Sequence, residues 1–314
     1  MNRRDHVIEC ARAVAALDVH EQHVILDYGS VTPLRRNELP ADSRIDLLRA
    51  ETSSGRWWLT HSYNLAFALA RGDYVLKLDA DVVLSQPFIG ELKKCLRANP
   101  VDLMCNRLTL QDWSMPDDIF TTNGLFLCRR DKLSRIGGFN PYIQGWGWDE
   151  IDLYSRFFLA GFAICRIPQH GVTAIDHGDD LREQPVPQPG SRRELPWSPG
   201  PHDVNATRRL ETQNEKNKRV AIASIQNSIE WPTFDDYVDC YARTGQLPTL
   251  PPVALFSQHE KDVLAAALSQ KLLQPHRFQH MAWRLMQRLG LGPYSQSGAQ
   301  KLLSACNIDL SLVS

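Results

Sequence analysis

From Asp5 to Arg129 short apolar runs alternate with segments of helical periodicity, and this alternation leaves the chain few ways to fold. Asp5 to Leu17 carries apolar residues at helical spacing, and His23 to Leu26 is strand-like. Ser62 to Ala70 reads as a helix, Tyr74 to Leu78 as a strand and Pro87 to Arg97 as a helix. Leu103 to Cys105 and Gly124 to Arg129 read as further strands. Strands interleaved with helices form a sheet with helices packed on its faces, an α/β architecture with short crossovers. Ligands in such sheets bind beyond the carboxyl ends of the strands. Asp27 follows one strand-like run, and Asp79 and Asp81 follow another.

The 314 residues suffice for one large domain and an appendage. A hydrophobic fraction of 43% with 23% charged residues excludes wholesale disorder. The formal net charge of -1 supplies no global field to recruit nucleic acid. Seven dispersed cysteines without CxxC spacing read as reduced thiols, neither a disulfide framework nor a zinc site. No apolar run reaches the roughly 20 residues that cross a bilayer, so the expectation is a cytoplasmic protein. Prolines at 185, 187, 189, 196, 199 and 201 mark a non-helical connector. The expected organisation is a sheet domain at 1–180, a Pro-rich and charged connector at 181–228, and a helical region at 229–314. Within that region 276–289 places Arg277, His280, Arg284 and Arg288 along one stripe. This is a candidate interfacial helix that would bring the protein to the inner membrane face; packing against a neighbouring helix is the competing account.

Two acidic clusters carry the chemistry. Asp79 and Asp81 stand two apart at a strand end, where both can turn toward one ligand. Hard cations such as Mg²⁺ and Mn²⁺ prefer carboxylate oxygens completed by phosphate and water. The second cluster is Asp149, Glu150 and Asp152 in the first turn of an expected helix, behind a loop with Trp146 and Trp148 between glycines. Acids there complement the helix dipole by about 0.3–1 kcal/mol each, which is the plain structural account. Flat aromatic faces beside carboxylates also suit a sugar site, and Gly145 and Gly147 would let the loop close as a lid.

ARGDYVLKLDADV, Ala70 to Val82, resembles the metal-binding segment of GT-A fold glycosyltransferases, in particular the inverting family 2. GGFNPYIQGWGWDEIDLYSR, Gly137 to Arg156, resembles the catalytic segment shared by β-1,4-galactosyltransferases and chondroitin-type polymerases. Asp27 in VILDYGS is similar to the acid with which that family meets the donor's uridine. The resemblance covers roughly 2–180 and implies a GT-A, Rossmann-like mixed sheet flanked by helices. It implies an inverting transferase of polysaccharide biosynthesis that moves a hexose or N-acetylhexosamine, galactosyl-type, from a UDP-sugar to a glycan or lipid-linked glycan. Asp81 would hold the metal, Mn²⁺ or Mg²⁺, with Asp79 near the ribose or reaching the metal through water. His177, in AIDHGD, would add a nitrogen ligand that favours Mn²⁺. Trp146 would contact the donor; Trp148, Asp149 and Asp152 would serve the acceptor side.

The family pattern at the base is Glu-Asp, and this chain has Asp149-Glu150. Position for position Glu150 takes the place of the base, with Asp149 binding acceptor hydroxyls. The family also opens with an apolar strand, whereas Met1-Asn2-Arg3-Arg4 begins at the turn that follows it, so the sheet is expected without its first strand. Two other readings stay open: a degenerate transferase that only binds glycans or partners, and a sugar-phosphate nucleotidyltransferase, which would need a Gly-rich phosphate loop.

Overall fold

The computed structural model describes residues 3–51, 58–98, 101–106, 124–145, 147–175 and 217–251. Helix α1 (Arg4–Leu17) leads to β1 (His23–Tyr28), which pairs in parallel with β2 (Ile45–Ala50). Helix α2 (Leu59–Leu69) precedes β3 (Tyr74–Lys77), a turn, β4 (Val82–Leu84) and α3 (Gln86–Ala98). Then come β5 (Leu103–Cys105), β6 (Phe126–Arg129), α4 (Arg130–Arg135) and α5 (Asp149–Leu159). Strands β7 (Ile164–Arg166) and β8 (Val172–Ala174) follow, and α6 (Phe234–Thr244) closes the described chain.

The sheet is mixed, as expected. β3, β6, β5 and β7 lie side by side in that order, with β6 antiparallel to both neighbours and β7 parallel to β5. No hydrogen-bonded ladder joins β1 to β3 among the described residues. One core nevertheless runs beneath both parts: Tyr28 and Ala50 share a buried cluster with Val75, Phe126, Leu153 and Phe157. Helix α2 bridges them, because Phe67 meets Phe126 and Phe139 at ring-centroid separations of 5.9 and 5.8 Å.

Several elements differ from expectation. β1 runs two residues further than the apolar run, so Asp27 lies inside the strand. α2 starts at Leu59, three residues early, because Leu59, Thr60 and His61 are buried. β2, β4, β7 and β8 escaped sequence reading. The range expected as connector contains a helical run at 217–226. Tyr237 of α6 enters the main core, and its hydroxyl lies 2.5 Å from His61 Nδ1. Among the described residues no helix is long and apolar enough to cross a membrane, and six cysteines are free thiols. The candidate interfacial helix at 276–289 lies outside the described residues.

Candidate active site

The Asp-Ala-Asp segment is a tight turn. Val82 N donates to Asp79 O at 3.1 Å, so both carboxylates project from the β3–β4 connection. Asp79 Oδ1 accepts from Tyr63 Oη at 3.0 Å and pairs with Lys77 Nζ at 2.7 Å. The β4–β8 ladder sets Val82 opposite Ala174, and Ile175 N donates to Asp81 O at 2.7 Å. That pairing brings the chain to Asp81 two residues before His177, which itself lies outside the described residues. No group of three His, Cys, Asp or Glu suited to a metal exists among the described residues. The oxygen donors of Asp79 and Asp81 fit a hard cation whose remaining ligands come from phosphate and water.

The second cluster forms where the Trp loop enters α5. Gly145 and Gly147 adopt φ of 66° and 94°, and Trp148 itself sits at 70°. A non-glycine residue there is unusual and persists only where its surroundings hold it. Here the surroundings are the 217–226 helix. Asn217 Nδ2 donates to Gln144 O at 2.9 Å and to Gly147 O at 2.8 Å. Trp148 packs on Ile143, Val220 and Ala221, and Lys218 Nζ lies 5.8 Å from the centre of its ring. Trp146, assigned to the donor by resemblance, is outside the described residues.

Asp149, Glu150 and Asp152 fill the first turn of α5, but their surroundings separate them. Asp149 is 3% exposed; burial first, then the adjacent Glu150, push its pKa well above the ordinary carboxylate range. The neighbouring Glu150 acts on Asp149 through its charge and at hydrogen-bond range, and both effects favour the protonated carboxyl. Glu150, with a side chain 20% exposed, remains open to solvent and stands 3.6 Å from Lys77 Nζ. Asp152 is buried under Arg156, whose Nη2 approaches to 2.6 Å and whose Nη1 donates to Ile136 O. Burial raises the Asp152 pKa and the arginine opposes that rise. Asp152 thus anchors α5.

The two clusters meet. Gly124, just before β6, lies so close that a Cβ would stand 2.3 Å from Lys77 Nζ, 2.4 Å from Asp79 Oδ2 and 3.2 Å from Glu150 Oε1. Asp27 stands elsewhere in the sheet. Its carboxylate accepts from Ser30 N and Leu34 N and pairs with Arg49 Nη1 at 2.9 Å, which the parallel register of β1 and β2 places opposite.

Sequence reasoning missed Lys77, Tyr63, Asn64 and Asn217. Asn64 exchanges two 2.8 Å hydrogen bonds with the backbone of Phe139, pinning the segment ahead of the Trp loop to α2. A lysine within an otherwise apolar strand was the one available signal.

Residues 107–178 match the family model described as the N-terminal domain of galactosyltransferase. Chondroitin sulfate synthase 3 of Homo sapiens is 37% identical over 54 residues, 17% of this chain and 6% of that protein. The Mus musculus protein matches to the same extent. The chain thus spans only a small part of the curated relatives it matches. Among solved structures, a mannosyltransferase from Pyrobaculum calidifontis in complex with GDP-Man and Mn²⁺ is 15% identical. It covers 90% of this chain and 81% of its own, with a TM-score of 0.47. The catalytic domain of Drosophila β1,4-galactosyltransferase 7 in complex with xylobiose is 14% identical, covers 60% and 72%, and has a TM-score of 0.38. The matched residues 107–178 contain Gly124 and the whole α5 cluster.

Proposed function

We propose that this chain, carrying a galactosyltransferase-type segment, is an inverting, metal-dependent glycosyltransferase that moves a hexose or N-acetylhexosamine from a UDP-sugar to a glycan acceptor. The observation that carries the reading is the convergence of Glu150 and Asp79 on Lys77, which joins an acceptor-side carboxylate to the donor-side acids. Glu150 is the base. As the acceptor hydroxyl oxygen bonds to the anomeric carbon, its proton passes to a Glu150 carboxylate oxygen. The bond from the anomeric carbon to the diphosphate oxygen breaks, and its electron pair leaves with UDP.

Asp149 keeps its own proton and donates to Glu150, so a single carboxylate is left to receive the acceptor's proton. A divalent cation held by Asp81, with Asp79 and His177, would neutralise charge on the leaving diphosphate. Asp27 organises the loop to Leu34 on which the uracil would rest. Trp146 and Trp148 border the sugar, Trp148 with one side committed to the 217–226 helix. A lipid-linked glycan is an acceptor of the same chemistry, and 276–289 is the segment that would bring the protein to it.

Isothermal titration of UDP into the full chain, with Mn²⁺ and with EDTA, tests the donor side, and UDP release from a panel of UDP-sugars tests turnover. Saturable UDP binding that EDTA abolishes is the expected result. Equal heats with and without metal, and no UDP release from any donor, would defeat the reading.

A further inference from the structure

Lys77 is the only buried lysine among the described residues, 2% exposed, in a strand whose other inward residues are apolar. An ammonium ion taken out of water costs several kcal/mol unless partners replace its hydration. One carboxylate would suffice for a structural lysine, yet Lys77 has two, on different elements. Asp79 Oδ1 lies at 2.7 Å on the β3–β4 turn, and Glu150 Oε1 lies at 3.6 Å in the first turn of α5. The Tyr63 ring from α2 covers the ammonium with its centroid 4.8 Å away. The missing side chain at Gly124 leaves the space in which these groups meet.

The two distances are unequal, and the difference matters. At 2.7 Å the Asp79 contact is a charge-assisted hydrogen bond. With Tyr63 Oη on the same oxygen, Asp79 Oδ1 is committed to the protein. At 3.6 Å the Glu150 contact lies beyond hydrogen-bond range, so Lys77 holds this carboxylate by charge attraction without donating a hydrogen bond to it. We infer that Lys77 is a positioning residue, the shared counter-ion of Asp79 and Glu150, which fixes the spacing between the donor-side acid and the base. The counter-ion role stands on these contacts alone; its effect on turnover rests on the transferase reading.

The test uses the full chain with Lys77→Met, Lys77→Arg, Glu150→Gln and the Lys77→Met/Glu150→Gln pair. Turnover of Lys77→Met at saturating UDP-sugar and Mn²⁺ is expected to fall at least about tenfold, with the donor KM moving less than about threefold. Lys77→Arg keeps the charge and recovers part of the loss. Wild-type turnover in Lys77→Met, or a loss confined to KM, would overturn the positioning role. Thermal melting gives a readout independent of activity: Lys77→Met lowers the melting temperature less in the Glu150→Gln background than in wild type, because the stranded carboxylate has gone. Strictly additive shifts would overturn the shared counter-ion. If Lys77→Met does not fold, the Lys77→Arg kinetics and the folding of the pair decide by the same criteria. A wild-type chain that neither binds nor releases UDP would defeat the transferase reading, and the melting cycle would then decide the counter-ion role by itself.

Discussion

Asn217 Nδ2 donates to Gly147 O at 2.8 Å across 70 residues of sequence, while its Oδ1 accepts from Gln144 N at 3.4 Å. The side-chain amide thereby grips both ends of the stretch that holds Trp146, and it is 1% exposed. Glycines at 145 and 147 supply the positive φ this stretch needs. Asn217→Ala should cost about 1–3 kcal/mol, the penalty for leaving buried carbonyl groups without a donor. Urea unfolding measures the loss. Asn217→Asp, which keeps the shape but not the donor, should lose a similar amount.

His61 gives the fold an acid limit. Its Nδ1 lies 2.5 Å from Tyr237 Oη and its Nε2 lies 3.0 Å from Pro248 O, so the neutral ring donates from Nε2 and accepts at Nδ1. Burial lowers its pKa from 6.5 to about 4. The unfolded chain therefore takes up this proton first as pH falls. The stability contributed is fully present above about pH 6.5 and is lost as pH drops toward 4. The loss amounts to roughly 3 kcal/mol. Chemical denaturation at pH 7 and pH 4.5 should show a smaller drop for His61→Gln than for wild type.

Gly124→Ala is expected to damage the site more than the fold. The new methyl group would fall 2.3 Å from Lys77 Nζ and 2.4 Å from Asp79 Oδ2. Those side-chain ends have to move, and the Lys77–Asp79 contact opens. The account predicts at least about a tenfold loss of UDP release, with only a modest drop in melting temperature. A variant with wild-type turnover would show that the spacing of these groups is immaterial.

Asp149 carries the opposite pH sign from His61. Its pKa is raised by burial and by Glu150, so its contribution is complete below the unfolded value near 4 and is lost as pH rises through the folded pKa. Asp149→Asn supplies a neutral donor of similar shape. It should therefore gain stability relative to wild type as pH increases, which denaturation at pH 4 and pH 8 can measure.

How far the sequence could be read follows from the range of the forces involved. α1, β3, α3 and α6 were legible because periodicity and caps are local; in α6 the Thr233–Asp236 capping box and Gly245 mark both ends. β2 escaped because its Asp46 and Arg49 break the apolar run, and Arg49 is there to meet Asp27 across the ladder. β4 and β8 have three residues each, too few for a period, and only their pairing makes them strands. At the site, the acids announced themselves by type and spacing. The groups that organise them did not. Asn217 and Asn64 act on backbone 70 or more residues away, and Lys77 acquires its meaning only when α5 brings Glu150 beside β3.

The division of roles between Asp149 and Glu150 is tested most directly by one comparison. UDP release with Mn²⁺, a UDP-sugar and an acceptor should be measured for wild type, Glu150→Gln and Asp149→Asn at equal UDP affinity. The account predicts that Glu150→Gln loses roughly 10²–10⁴-fold in turnover. Asp149→Asn should stay within about tenfold of wild type, because the amide still donates to Glu150. An active Glu150→Gln beside an inactive Asp149→Asn would contradict it and place the base at Asp149.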